Sequence, residues 1–340
     1  MLQASAYTIV SPSFIEPEIL VQQTQASGFI DLLQGAALRV RMAQDDLLVY
    51  MKQMNIRTKA AAGQTGSFQE LPGVDISMSM ISTASYMLKT RAQYDHHDVA
   101  AAGNWGFPAP EAYRLGMRQG NFQLCRDASL YGMHPEDGEG IVNAPGITAI
   151  NLPPDSNGQD TVLGYDNGEM AFFLAQVILA IKVRTVQLGR GHKFTFLGPQ
   201  RTLGTFEYNV VQLVQFQRQG AGTESTKGTL ESILQENGDE IVWAYDDTLI
   251  GKGAGGSDLV LVSMPEVDVP SEAGINTNVF AGLTPNNSTC VTQYADMAAP
   301  REIIVPLPGG ATDVVSEWRI TSGWVPRPQA VTAISMPYSD

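Results

Sequence analysis

The run VDISMSMISTASYMLKT at 74–90 places Ile76, Met78 and Met80 on one side and Ser77 and Ser79 on the other, the two-residue period of a β-strand. A second strand-like run, LLVYMKQMNIRTK, occupies 47–59. Between them AAGQTGSFQELPG carries three glycines and a proline, a loop composition. Together these segments spell a long hairpin. Two strands alone are marginal in water, so the hairpin needs a partner surface. Any fold assigned to this chain has to supply one.

Upstream, residues 1–45 lack a convincing apolar face. SPSFIEPEIL holds two prolines that block a helix interior, and only a short helix over 18–34 is expected, around Ile19, Leu20, Phe29, Leu32 and Leu33. An arm lying on another surface fits better than a domain. Downstream, Pro110–Tyr131 is expected to be helical. Pro110 and Glu111 suit the first turn, Tyr113, Met117, Leu124, Ala128 and Tyr131 recur at helical spacings, and Gly132 supplies the stop. Gly116 and Gly120 each cost about 1 kcal/mol of helix propensity relative to Ala, which points to close backbone packing there.

A second helix is expected from about Glu169 to Leu188, capped by Asp166 or Asn167 and stopped by Gly189. It is apolar nearly all round at first and is therefore expected to be deeply buried. Its richest run, Met170–Ile181, is broken by Gln176 and is shorter than the ~18 residues that cross a bilayer. Beyond it come strand-like segments, KFTFLGP, EIVWAYD, DLVLVSMP and EIIVPLP, with helices expected near 203–217 and 228–236. The final SEWRITSGWVPRPQAVTAISM alternates like a strand, with its prolines at an edge or bulge.

The charge is lopsided. Residues 1–130 carry 10 Lys/Arg against 11 Asp/Glu, and residues 131–340 carry 11 against 24, which sum to the net −14. That balance argues against a protein that grips phosphate backbones. Hydrophobic residues at 44% and charged residues at 16% describe a globular chain. Cys125 and Cys290 are too few for a disulfide framework and suit small buried side chains in a reducing compartment. The opening MLQASAYTIVSPSF has neither the basic nor the apolar region of a signal peptide.

No motif carries chemistry on inspection. GKGAGG (Gly251, Gly253, Gly256) matches a dinucleotide pattern, but a strand follows it instead of the helix whose N-terminus would hold a pyrophosphate, so a hairpin loop is expected. Asp95-His96-His97-Asp98 is the best metal-like cluster, yet adjacent ligands on a strand point apart, and a polar turn is the plain reading. Asp45-Asp46 and Asp246-Asp247 are sequence neighbours, not facing acid–base pairs. No G-x-S-x-G elbow is present. Asn286–Thr289 fits a glycosylation pattern that has no meaning without secretion. Lys52, Lys59 and Lys89 read as solvated charge. No catalytic, cofactor-binding or metal-binding residue is assigned, and no cofactor is expected.

The order of pieces resembles the major capsid proteins of tailed bacteriophages, with the Hong Kong phage capsid fold. PEAYRLGMRQGNFQLCRDASLYG resembles that family's spine helix. GIVNAPGI is similar to the Leu-Leu-Asn-x-x-Gly junction found there, with Ile141-Val142-Asn143 in place of Leu-Leu-Asn. GEMAFFLAQVILAIKV…KFTFLGPQRTLGTF resembles a helix, an apolar strand ending at Pro, and another helix. WVPRPQAVTAI resembles the closing strand, and QELPGVDIS the loop before the second flap strand. The likeness spans roughly 40–340. No Lys–Asn cross-linking pair aligns, and no scaffold-like segment is expected before the arm.

The resemblance implies an α+β capsid fold: an N-terminal arm (1–45), an extended β-hairpin flap or E-loop (46–95), a spine helix with the first part of a peripheral domain (96–155), an axial domain (156–310) and a return strand of the peripheral domain (311–340). It implies a structural subunit, not an enzyme, that self-assembles as pentamers and hexamers into an icosahedral head around double-stranded DNA. The protein would be made in the bacterial host cytoplasm and reside in the virion. Its partners would be itself, a portal, and scaffold, cement or decoration proteins. Packaged DNA would lie near it without specific binding, and no membrane is involved. Ile76, Met78, Met80, Tyr86, Met87, Tyr113 and Met117 are the candidate subunit-interface residues. Alternatives are an encapsulin-like nanocompartment shell and, from another class, an enzyme with a site near His96/His97.

Overall fold

The hairpin spelled by the alternation is present. In the computed structural model, which describes residues 40–58, 74–104, 106–187, 189–208, 210–211, 224–267, 291–297 and 299–339, a two-residue β1 (Val40–Arg41) leads into β2 (Leu48–Thr58). β2 pairs antiparallel with β3 (Val74–Asp95) in a register that sets Leu48 opposite Ala84 and Thr58 opposite Val74. The connector and the expected 18–34 helix lie outside the described residues. β3 runs 22 residues without a break, longer than the hairpin needs. Its second half, Ser85–Asp95, pairs with β12 (Ala311–Thr321).

Asp95-His96-His97-Asp98 is not a turn. Asp95 ends β3 and His96–Asn104 form a short helix, α1, whose first-turn Asp98 faces the positive end of the helix. The expected long helix follows as α2 (Ala109–Tyr131), with Pro110 in its first turn and Gly132 at its end. α2 lies on the long sheet. Met117 packs with Ala92 and Val314, and Cys125, Ala128 and Leu130 pack with Leu88 and Ile320. Asn121, 2% exposed, stitches helix to sheet: Thr90 donates to its Oδ1 at 3.1 Å and its Nδ2 donates to Ser316 Oγ at 2.9 Å. The two helix glycines differ from expectation. A Cβ on Gly116 would meet nothing within 4 Å, and one on Gly120 would meet only the Thr90 methyl, so no described backbone packs there.

A second, five-stranded sheet forms the body. Its order is β4 (Thr148–Asn151), β13 (Val331–Met336), β9 (Asp258–Ser263), β5 (Lys193–Gly198), β8 (Glu240–Tyr245). β9 and β13 are buried at every position, the near-continuous apolar pattern of strands covered on both faces. α3 (Asn167–Thr185) covers the sheet through Leu174, Val177, Ile178 and Ile181, which meet Phe194, Phe196 and Val260 in the largest core cluster. Asp166 caps α3 by accepting from Gly168 and Glu169 N–H at 2.9 and 3.0 Å. The helix ends at Thr185, and the left-handed stop is Val186, not Gly189. α4 (Gln200–Tyr208) is shorter than expected, because Val210–Val211 (β6) pair with Glu224–Ser225 (β7). α5 (Thr226–Gln235) then packs on α3 through Leu230 and Leu234.

Three more readings of the chain are corrected by strand pairing. The glycine run 251–256 does not close a hairpin. β8 and β9 flank β5 on opposite sides, one parallel and one antiparallel to it, so the run is a crossover. The segment 295–306, grouped with the axial part in sequence, contributes β10 (Ala295–Asp296) and β11 (Arg301–Pro306) to the long sheet, both against β12. The C-terminal 311–340 is two strands in two sheets, β12 in the long sheet and β13 in the body.

Candidate assembly interface

The helix-to-body junction positions everything the hairpin rests on. A helix leaves its last four carbonyls without intrahelical partners. Here the last four of α2 are all used. Ala128 O accepts from Gly132 and Gly323 N–H, Ser129 O from Ile141 N–H, and Leu130 O from Val142 N–H. Tyr131 O accepts from Asn143 Nδ2 at 2.9 Å, which gives the Asn of GIVNAPG its physical role. The chain has to turn back on itself to make these bonds. Gly132 and Gly140 adopt φ of +75° and +90°. A Cβ on Gly132 would sit 2.5 Å from the Glu139 carbonyl, and one on Gly140 would run into the Tyr131 backbone.

Glu139 ties this turn to the sheet. Its carboxylate accepts from Tyr86 Oη at 2.7 Å, Ser322 Oγ at 2.7 Å and His134 N–H at 3.1 Å. Burial opposes its charge, but the hydrogen bonds from Ser322, Tyr86 and the backbone of His134 and Met133 hold the carboxyl below its usual range. Burial, with Glu139 alongside, pushes the Tyr86 phenol up to about 12.

The hairpin leaves the body at a second cluster. Ser85 N–H donates to Leu47 O at 3.0 Å, and Ser85 Oγ donates to Asp46 O at 2.5 Å. The Arg319 guanidinium, from β12, donates to both Asp46 O (3.1 Å) and Ser85 Oγ (2.9 Å). Asp46 in turn accepts from Ala43 N–H at 2.7 Å. Beyond this root β3 pairs only with β2 among the described residues.

The candidate residues divide across these two places. Met78 and Met80 share one side of β3 and are 70% and 62% exposed, with Leu47, Leu48 and Tyr50 exposed at the root. The side chain of Ile76 lies outside the described residues. Tyr86 is turned inward to Glu139, and Met87, half-buried, sits opposite Arg319. Met117, 7% exposed, is spent inside the subunit, whereas Tyr113 stays exposed and stacks on Tyr94 at 5.7 Å.

Sequence reasoning missed a second apolar surface. α3 is not buried all round. Phe172, Leu179, Val183 and Val186 project from the side opposite the core and are exposed. Their spacing of seven, four and three residues was available, but a helix apolar on both faces does not reveal which face its own body covers.

Polar clusters elsewhere are engaged or superficial. His96 Nδ1 lies 2.6 Å from Asp95, and its ring is 3.8 Å from that of His97. His134, Glu136 and Asp137 bring ligand atoms within 4.8 Å of one another on an exposed turn. In the cleft between α5 and β8, Glu231 accepts from Trp243 Nε1 at 2.7 Å and buried Asp239 pairs with Lys182. Asp258 is held by Arg201, Thr202 and Gly251 N–H. Despite burial, these keep its carboxyl below the usual range. No helix among the described residues is long and apolar enough to cross a membrane.

No family profile matches the sequence, and no curated protein matches it. Solved structures do. The capsid of Myoviridae phage XM1 is 11% identical, with 96% of this chain and 97% of that chain covered and a TM-score of 0.65. The capsid of cyanophage P-SCSP1u is 12% identical over 96% and 93%, with a TM-score of 0.57. The capsid of the native GTA particle is 10% identical over 99% and 98%, with a TM-score of 0.54. At such identity the likeness establishes the fold: this chain has the fold of tailed-phage capsid proteins.

Proposed function

We propose that this protein is the major capsid protein of a tailed phage, a structural subunit that closes into an icosahedral shell of pentamers and hexamers around double-stranded DNA. The observation that carries the reading is the hairpin. It projects past its Arg319–Ser85 root with Met78 and Met80 in solvent, on a chain whose fold spans a phage capsid protein from end to end. A monomer gains nothing from an apolar projection of this kind. A shell does, because each neighbour covers the next, and closure adds many weak contacts.

On this reading residues 46–95 are the flap that lies on a neighbouring subunit, and 1–45 the arm. Residues 96–131 and 311–321 belong to the peripheral part, which 295–306 joins through β12, and the five-stranded body, with β4 and β13 in it, forms the axial part. A net −13 over residues 131–340 suits a wall that encloses DNA without gripping it. Portal, scaffold and decoration proteins are partners of such a shell, and the virion is its location.

Negative-stain microscopy of the purified, expressed chain tests the proposal. Closed shells with five-fold and six-fold clusters are expected. A chain that stays monomeric at high concentration under every condition that keeps it folded removes it. Deleting 61–72 is expected to leave the body folded while abolishing closed shells, and normal shells from that deletion reject the flap assignment.

A further inference from the structure

The thioethers of this chain are unevenly placed. Five of its 13 methionines, Met51, Met54, Met78, Met80 and Met87, fall within 46–95. Directly opposite residues of an antiparallel pair share a face. The β2–β3 register sets Met54 opposite Met78, Ile56 opposite Ile76 and Lys52 opposite Met80, so the methionine face is apolar on both strands except at Lys52. On the other face Ser77 and Ser79 meet Asn55 and Gln53.

Exposure sorts the methionines into two sets. Met78 and Met80 are 70% and 62% exposed, and Met133, on the turn after α2, is 42% exposed. Met42, Met117, Met170, Met264 and Met336 are buried, and Met87 and Met297 are half-buried. Oxidation of a thioether follows access, so a peroxide reaches the flap before the core. An exposed strand position ordinarily takes a β-branched or aromatic residue. Methionine there gives an adaptable apolar contact that a mild oxidant converts into a polar one.

The reaction is complete with a peroxide as its only co-reactant. The sulfur lone pair attacks one peroxide oxygen, the O–O bond breaks, an S–O bond forms and the second oxygen leaves as water. Sulfur loses two electrons and the peroxide gains them. The bonds that fix the flap's root, from Ser85 and the Arg319 guanidinium to the carbonyls of Leu47 and Asp46, involve no sulfur. Oxidation therefore changes what the flap presents and leaves its anchorage alone.

We propose that Met78 and Met80 form a peroxide-responsive modification site that governs the flap. As thioethers they let it dock on a neighbouring subunit; as sulfoxides they hold subunits apart until they are reduced. This rests on the shell-subunit reading and adds the regulation of its flap.

Hydrogen peroxide on the full-length, unassembled chain tests it, read by peptide mass, by thermal melting and by sedimentation under assembly conditions. Met78 and Met80 are each expected to gain about 16 Da before any buried methionine does. Sedimenting shells are expected to fall about tenfold or more, because a loss at one contact repeats at every copy, while the melting temperature holds. Methionine sulfoxide reductases are expected to restore the shells. The Met78→Leu/Met80→Leu chain, whatever its own untreated yield, is expected to lose nothing further to peroxide, whereas Met133→Leu is expected to respond as the natural chain does. Subunits that carry both sulfoxides and still close into shells overturn the proposal. So does an equal peroxide loss in the Met78→Leu/Met80→Leu chain, or a melting temperature several degrees lower after oxidation. In each of these cases the untreated chain still forms shells, and the shell reading stands. An untreated chain that forms no shells removes the shell reading and the switch with it.

Discussion

Residues 74–84 and 85–95 are halves of one unbroken strand, and they live under different physics. The inner half is paired with β12 along its length and covered by α2, with Leu88 and Ala92 buried and Asn121 bonded across to Thr90. The outer half has β2 as its only described partner and leaves Met78 and Met80 exposed. Serines opposite methionines suit a strand wet on one side and awaiting cover on the other. The contrast teaches that backbone continuity does not make a single stability unit. What counts is how many surfaces each half has been given.

The largest effect is expected far inside the covered region. Phe196 is fully buried beside Trp243, with ring centroids 4.8 Å apart, and Phe196→Ala is expected to cost about 3–5 kcal/mol in urea unfolding of the subunit. A loss below about 1 kcal/mol would mean that the body does not set the stability. At the junction, Gly140→Ala forces a side chain into the Tyr131 backbone at a φ of +90°, and a loss of about 2–3 kcal/mol is expected by the same measurement.

A smaller effect, with a pH signature, is expected where the inner half is tied down. Glu139→Gln weakens the hydrogen bonds from Tyr86 and Ser322 and is expected to cost about 1 kcal/mol at neutral pH. The Glu139 carboxyl is depressed in the fold, so its contribution is present above its unfolded pKa of about 4.3 and is lost as pH falls through the folded value. The difference between the natural chain and the Gln variant should therefore shrink in acid. Tyr86 runs the other way. Its folded pKa is raised to about 12, so its contribution holds below about pH 10 and is lost as pH climbs through 12. A difference that stays constant across acid would show that Glu139 does not act as a carboxylate.

The smallest effect on the subunit is expected in the outer half. Met78→Asp with Met80→Asp is expected to shift subunit stability by no more than about 0.5 kcal/mol, because both side chains are already in water. Assembly is where the change is expected to appear, as a loss of sedimenting shells. A large loss of subunit stability would erase the distinction between the two halves.

The sequence alone determined the local alphabet of this protein. Two-residue alternation marked β3 and put Met78 and Met80 together, and a strand-like run marked β2. Helical spacing with Pro110 and Gly132 bounded α2, and Asp166 marked the start of α3. These are properties of neighbours along the chain, and periodicity reports them directly. The tertiary structure decided which surfaces each element meets. It split β3 between two partners, set β8 and β9 on either side of β5, divided 311–336 between two sheets, and turned Tyr86 and Met117 inward. It also separated the two apolar faces of α3, one sealed in the core and one left in solvent. No local pattern distinguishes those faces, because apolar residues on a helix record that a side will be covered, whereas only long-range packing decides whether the cover comes from the same molecule.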